Sequence, residues 1–208
     1  MDKNLRIGIL GGSFDPVHHG HLQLAQAALV KAQLDCVLLL VAKDPPHTAG
    51  CTPARDRLQM VRLACARAPG LVACGLELEL PGRVYAIHAV RELKRRLPTA
   101  RFFYLLGSDT LATLPHWYGG RELLSSVDIL CAVRKGGWGP DARQAAQLGE
   151  QFQMRLTLLD LQLPDISSTQ IRERLAAGLS ISQLVEPAVE HYILTHRLYR
   201  PQPHESPL

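Results

Sequence analysis

Two histidines spaced by three, His18 and His21, stand in the string Gly11-Gly12-Ser13-Phe14-Asp15-Pro16-Val17-His18-His19-Gly20-His21-Leu22. Gly11 and Gly12 let the backbone turn tightly and approach a ligand. A helical period of apolar residues starts near Gly20, with Leu22, Ala25, Ala28, Leu29 and Ala32. The first N–H groups of such a helix have no partners within it and favour an anion. At that position both imidazoles can face one phosphate. A glycine-rich turn with two surface histidines would account for the glycines, but not for the whole string. A paired-histidine metal site would want a carboxylate within the same turn, and this turn has none. The string contains neither the G-x-x-x-x-G-K-[ST] phosphate loop nor the G-x-G-x-x-G dinucleotide fingerprint.

A second string, Asp165-Ile166-Ser167-Ser168-Thr169-Gln170-Ile171-Arg172-Glu173-Arg174-Leu175, lies about 150 residues later. Ser and Thr suit a helix start. Arg172 is expected in the first turn, where the helix dipole disfavours a cation. An anion held jointly by N–H groups, hydroxyls and the guanidinium would resolve that conflict. An ordinary Ser-capped helix with a solvated arginine is the alternative.

These strings need elements to position them, and the chain alternates short apolar runs with helical periods. Strands are expected at residues 6–10, 36–41, 101–106, 128–133 and 156–161, and a half-exposed one at 76–80, where Leu76, Leu78 and Leu80 alternate with Glu77 and Glu79. Helices are expected after Pro53 (Leu58, Val61 and Cys65 on one face), over Ile87–Leu97, over 142–153, and from Pro164 to about Leu198. This alternation predicts an α/β fold: a Rossmann-like, doubly wound parallel sheet with helices on both faces and a helical C-terminal segment. Ligands bind such sheets beyond the carboxyl ends of the strands. The expected organisation is one domain over residues 1–200 and a flexible Pro-rich tail over 201–208.

Bulk properties narrow the class. With 47% hydrophobic and 20% charged residues, the chain is globular rather than disordered. A net charge of +4 suits small anions, and without dense Lys/Arg runs it gives no ground for a nucleic-acid partner. Five cysteines with no C-x-x-C pair imply free thiols in a reducing cytoplasm. No apolar run reaches the roughly 18–20 residues of a membrane helix, so no membrane partner is expected. The apolar stretch after Lys3 and Arg6 ends in Gly11-Gly12, too early for a signal peptide.

The stretch Gly12-Ser13-Phe14-Asp15-Pro16-Val17-His18-His19-Gly20-His21 closely resembles the signature of the nucleotidyltransferase superfamily with an HxGH motif. Its Gly-Ser-Phe-Asp-Pro form is similar to that of the nicotinate and nicotinamide mononucleotide adenylyltransferases. Ile166-Ser167-Ser168-Thr169-Gln170-Ile171-Arg172 resembles the same superfamily's motif for the ATP phosphates, and the resemblance runs on to Leu198-Tyr199-Arg200. Pro45-Pro46-His47, Gly107-Ser108-Asp109 and Leu114-Pro115-His116-Trp117 resemble segments of the bacterial nicotinate mononucleotide enzymes. One segment departs from that pattern. Val84-Tyr85-Ala86-Ile87-His88-Ala89 keeps the tyrosine of a usual Ser/Thr-Tyr-Thr-x-Asp-Thr run, loses its hydroxyls and carries His88 in place of Asp.

The resemblance implies adenylyl transfer from ATP to a pyridine mononucleotide in NAD biosynthesis, with Mg²⁺ accompanying the ATP. It implies an ATP site of Gly11, Gly12, Ser13, Phe14, His18, His21, Gly107, Asp109, Ile166, Ser167, Ser168 and Arg172, with His18, His21 and Arg172 catalytic. Pro46, His47, Tyr85, Trp117 and Arg134 would bind the acceptor. No metal ligand set within the protein is implied. Nicotinamide mononucleotide, or another phosphorylated acceptor, stays open as the second substrate, as does a nucleotide-binding module without catalysis. The oligomeric state, monomer or homo-oligomer, also stays open.

Overall fold

The computed structural model describes residues 4–45, 51–133, 140–161 and 163–199. Six strands form one sheet: β1 (Arg6–Gly12), β2 (Cys36–Val41), β3 (Leu71–Cys74), β4 (Arg101–Gly107), β5 (Asp128–Val133) and β6 (Leu156–Asp160). Every pairing is parallel and the order is β3-β2-β1-β4-β5-β6. Parallel strands covered on both faces are near-continuously apolar, as Cys36–Val41 and Phe102–Leu106 are.

The helices are α1 (His19–Lys31), α2 (Ala54–Cys65), α3 (Leu76–Glu79), α4 (Ala86–Arg96), α5 (Ser108–Leu111), α6 (Gly120–Ser126), α7 (Ala142–Gln151), α8 (Ser168–Ala176) and α9 (Pro187–Thr195). A 3₁₀ turn spans Leu114–His116. Alternate residues of each strand feed two cores. In β4, Phe103 and Leu105 pack with α1, α2, α8 and α9, while Phe102, Tyr104 and Leu106 pack with α4, α6 and α7. Among the described residues no helix is long and apolar enough to cross a membrane.

Two expectations change. The half-exposed strand at 76–80 is the helical turn α3, and the third strand lies earlier, at Leu71–Cys74, paired with β2. Its Leu/Glu alternation does not mark a solvent face: Glu77 is buried and accepts the Lys43 N–H at 3.0 Å. The helix expected from Pro164 to Leu198 is two helices. Gly178, at φ +71°, lies just beyond the end of α8, and Pro187 opens α9.

Strand order reverses between β1 and β4, both of which connect onward to helices beyond their carboxyl ends. That crevice is where an open α/β sheet takes its ligand, and both strings singled out by their chemistry converge there.

Candidate active site

β1 ends at Gly12, and Gly11 needs to be glycine: a Cβ there would lie 2.5 Å from the Tyr104 hydroxyl of the neighbouring strand. Phe14 follows at φ +50°, a left-handed conformation that a bulky residue adopts only when its surroundings hold it. Its edge meets the His21 ring at 5.0 Å between centroids. α1 then begins at His19, one residue before the expected start, with His18 as its N-cap.

The two histidines face together. Their rings stack at 3.7 Å between centroids and 28° between planes. The His18 N–H donates to His21 Nδ1 at 3.3 Å. Neutral His21 therefore carries its proton on Nε2, which leaves that nitrogen a donor. A side chain at Gly20 would meet the His18 ring at 3.1 Å and the Ile166 carbonyl at 3.7 Å, so the second string already touches the first.

Two further contacts fasten the strings, and others brace them. Ser168 Oγ donates to the Pro16 carbonyl at 2.9 Å, across 152 residues of sequence. Arg172 Nη1 donates to the Asp15 carbonyl at 2.8 Å, and Nη2 to Thr169 Oγ1 at 3.2 Å. The Asp15 carboxylate, 4% exposed, accepts from the Tyr199 hydroxyl at 2.7 Å, from Cys51 Sγ and from the Thr52 N–H. Burial alone would raise its pKa, but these three donors outweigh burial and hold it below the ordinary carboxylate value. Burial, with the Asp15 charge beside it, pushes the Tyr199 hydroxyl far up.

Arg172 is not in the first turn of α8. Ser167 is the N-cap, with its Oγ accepting from the Gln170 N–H at 3.1 Å, and Arg172 is the fifth helical residue. From there its guanidinium still reaches back over the helix start, so the unfavourable meeting of cation and dipole remains for an anion to relieve. Neither α1 nor α8 carries an acidic residue in its first turn. Two positive helix ends and an arginine thus converge on the loop after β1, with the histidine pair at the start of α1, an arrangement made for a polyanion.

Beside this loop, β4 delivers Gly107 next to β1, and the exposed Asp109 folds its carboxylate back against Gly107. Trp117, 37% exposed, donates its indole N–H to Thr113 Oγ1 at 3.3 Å. Tyr85 caps α4 and stacks on Tyr118 at 4.4 Å, while His88 lies edge-on to both rings and its Nδ1 accepts the Tyr85 N–H at 3.4 Å. His88 thus repeats at α4 the cap that His21 makes at α1. The turn that presents Trp117 and Tyr118 closes on Gly119, at φ +68°, where a Cβ would meet Ile87 at 2.6 Å. Pro46, His47 and Arg134 lie outside the described residues.

Sequence reasoning missed Tyr118, Asp15, Tyr199 and Arg57 as parts of the site. For Arg57 a signal existed: it shares an i, i+4, i+7 stripe with Val61 and Ala64, all three buried.

The cytidylyltransferase-like family model matches residues 9–174. A protein of Synechococcus sp. (strain JA-3-3Ab) that bears the name "Probable nicotinate-nucleotide adenylyltransferase" is 42% identical over 197 residues, 93% of this chain and 94% of that one. A protein of Gloeobacter violaceus with the same name is 42% identical over 199 residues, 93% and 96% of the two chains. Among solved structures, the fold is similar to that of Plasmodium falciparum nicotinic acid mononucleotide adenylyltransferase complexed with NaAD, with a TM-score of 0.78 at 19% identity over 94% of this chain and 98% of that one.

Proposed function

The chain belongs to the cytidylyltransferase-like family, among the nicotinate-nucleotide adenylyltransferases, and from that premise we propose that it transfers the adenylyl group of ATP to nicotinate mononucleotide, giving deamido-NAD and pyrophosphate. The observation that carries this reading is the junction at Asp15-Pro16, just before α1, where Arg172 and Ser168 of α8 bond the two successive carbonyls.

The acceptor needs no general base. A phosphate monoester has a second pKa of about 6 and is already largely dianionic at neutral pH. The barrier is repulsion between anions and in-line placement, which positioned donors lower. In this reading His18 and His21 donate to the α-phosphate as charge builds. The loop of Gly11, Gly12, Ser13 and Phe14 brings its backbone to the nucleotide. The Ser13 and Pro16 carbonyls are bonded to Arg57 and Ser168. Across planar trans peptides, the Phe14 and Val17 N–H groups point the opposite way.

Ser168 acts as a fastener, since its hydroxyl proton is given to Pro16. Among the described residues two of the five donors of Arg172 are used, and in this reading the rest, with Ser167 and the chain at Ile166, serve the β- and γ-phosphates. Gly107 and Asp109 would take the ribose, and Tyr85 and Trp117, with Pro46, His47 and Arg134, the acceptor.

Among the described residues no three His, Cys, Asp or Glu side chains gather as a metal site. In this reading Mg²⁺ would be carried on the nucleotide's own phosphates and waters. The ion would neutralise charge on the phosphate oxygens while the residues named above hold the nucleotide.

The segment Val84–Ala89, with His88 capping Tyr85, favours one second reading: the same transfer to nicotinamide mononucleotide. Pyrophosphate release from Mg-ATP, measured in parallel with the acid and the amide mononucleotide, decides. Faster turnover with the acid is expected. The reverse preference selects the second reading, and turnover with neither sinks both.

A further inference from the structure

Arg57 is 1% exposed, the largest fully buried side chain among the described residues, and a charged one. Its Nε donates to the Thr52 carbonyl at 2.7 Å, Nη1 to those of Ser13 at 2.7 Å and Ala42 at 2.8 Å, and Nη2 to that of Lys43 at 3.2 Å. Four of five donors therefore end on main-chain oxygens. Nearby, burial raises the pKa of the Glu77 carboxyl, while the Lys43 N–H that it accepts and the guanidinium charge act to lower it.

The addresses of these bonds matter. Ser13 follows β1 and belongs to the peptide before Phe14, the residue held at φ +50°. Ala42 and Lys43 follow β2 and lead into Asp44 and Pro45. Thr52 gives its N–H to Asp15. Tyr199 also touches both stretches, at Asp15 and Thr52, but Arg57 in addition holds Ala42 and Lys43, directly beyond β2. Burying a guanidinium is costly unless its donors are filled, and here they are filled by two loops rather than by a carboxylate.

We propose that Arg57 is the positioning residue of the transfer: its guanidinium fixes the loop after β1 against the loop after β2, and so sets the distance and angle between the nucleotide and the acceptor. This rests on the adenylyl-transfer reading, with the nucleotide on the first loop and the acceptor beside the second. A lysine keeps the charge but has three donors radiating from one nitrogen, and it cannot span four carbonyls. Misplacement by an ångström lowers rate far more than affinity.

The test compares the full chain with Arg57→Lys and Arg57→Ala, the latter with and without millimolar methylguanidinium. Circular dichroism and melting report folding, calorimetry reports ATP binding, steady-state kinetics give kcat and both KM values, and hydrogen exchange reports residues 11–17 and 41–45. The expected result is a folded Arg57→Lys with ATP affinity within about threefold of the parent, kcat lower by at least about tenfold, and faster exchange confined to those two segments. Methylguanidinium should restore part of the kcat of Arg57→Ala. A folded Arg57→Lys with kcat within about twofold of the parent overturns the proposal. So does faster exchange across all strands, or failure of both variants to fold, because Arg57 would then hold the whole protein rather than two loops. If the parent itself transfers to neither mononucleotide, the functional reading fails, and the exchange pattern still decides whether the clamp exists.

Discussion

Replacing Tyr199 with Phe removes one hydroxyl and leaves the ring. That hydroxyl makes the shortest bond to the Asp15 carboxylate, 2.7 Å, against 3.1 Å from Cys51 Sγ and 3.3 Å from the Thr52 N–H. A hydrogen bond to a charged group is worth about 1.5–3 kcal/mol. Two weaker donors remain, so the expected loss at neutral pH is about 2 kcal/mol. For a chain of this length that lowers the melting temperature by about 4–8 °C.

The pH dependence has a definite sign. The folded pKa of Asp15 is depressed, so its contribution is complete above the unfolded value, about 3.9, and is lost as pH falls through the folded value. Removing Tyr199's donor moves the folded value back up. The parent and variant should therefore differ most at pH 7 and converge below about pH 4. Urea unfolding at steps across that range measures it. A difference under about 0.5 kcal/mol at pH 7, or one that persists unchanged into acid, refutes the reasoning. Because Arg172 bonds the carbonyl of the same residue, the KM for ATP should rise severalfold in the variant.

Other changes separate chemistry from folding. His18→Ala should lower turnover by at least about tenfold while ATP still binds in calorimetry; unchanged turnover removes His18 from the mechanism. Gly20→Ala improves helix propensity by about 1 kcal/mol, yet its Cβ would stand 3.1 Å from the His18 ring, so kcat should fall while the melting temperature does not. Gly119→Ala puts a side chain at φ +68° and 2.6 Å from Ile87; a loss of about 2–3 kcal/mol in denaturant unfolding is expected. Asp128 is desolvated, which would raise its pKa, but Arg101 and Arg155 hold it below the ordinary value. Asp128→Asn should therefore cost about 1–2 kcal/mol at pH 7 and progressively less below about pH 4, as read from urea midpoints.

Five of the six strands and the two anion strings were legible because their signals are local. Cys36–Val41 and Asp128–Val133 are apolar runs bounded by breakers, and the His18/His21 spacing lies within one helical turn. The failures came where a long-range contact decides. Glu77 reads as a solvent-facing residue until the Lys43 N–H and Arg57 give its carboxylate a buried place. Arg172 reads as a first-turn cation until its partner is seen to be the Asp15 carbonyl, 157 residues away. Main-chain carbonyls carry no residue identity, so the role of Arg57 in joining Ser13 to Ala42 leaves no motif at the receiving end.

The bond between Ser168 and Pro16 also sets a schedule for the making of the protein. At roughly 5–20 residues per second, a ribosome adds Ser168 about 8–30 s after Pro16. During that interval β1 can already pair with β2 and β4, but the loop that follows it lacks the donors of α8 that turn two of its carbonyls. On the proposed reading, a chain stalled or clipped just before residue 168 would have its six strands and the histidine pair but not the part of the triphosphate grip that α8 supplies. On that reading, full nucleotide capture comes late in synthesis, once the C-terminal helices have docked.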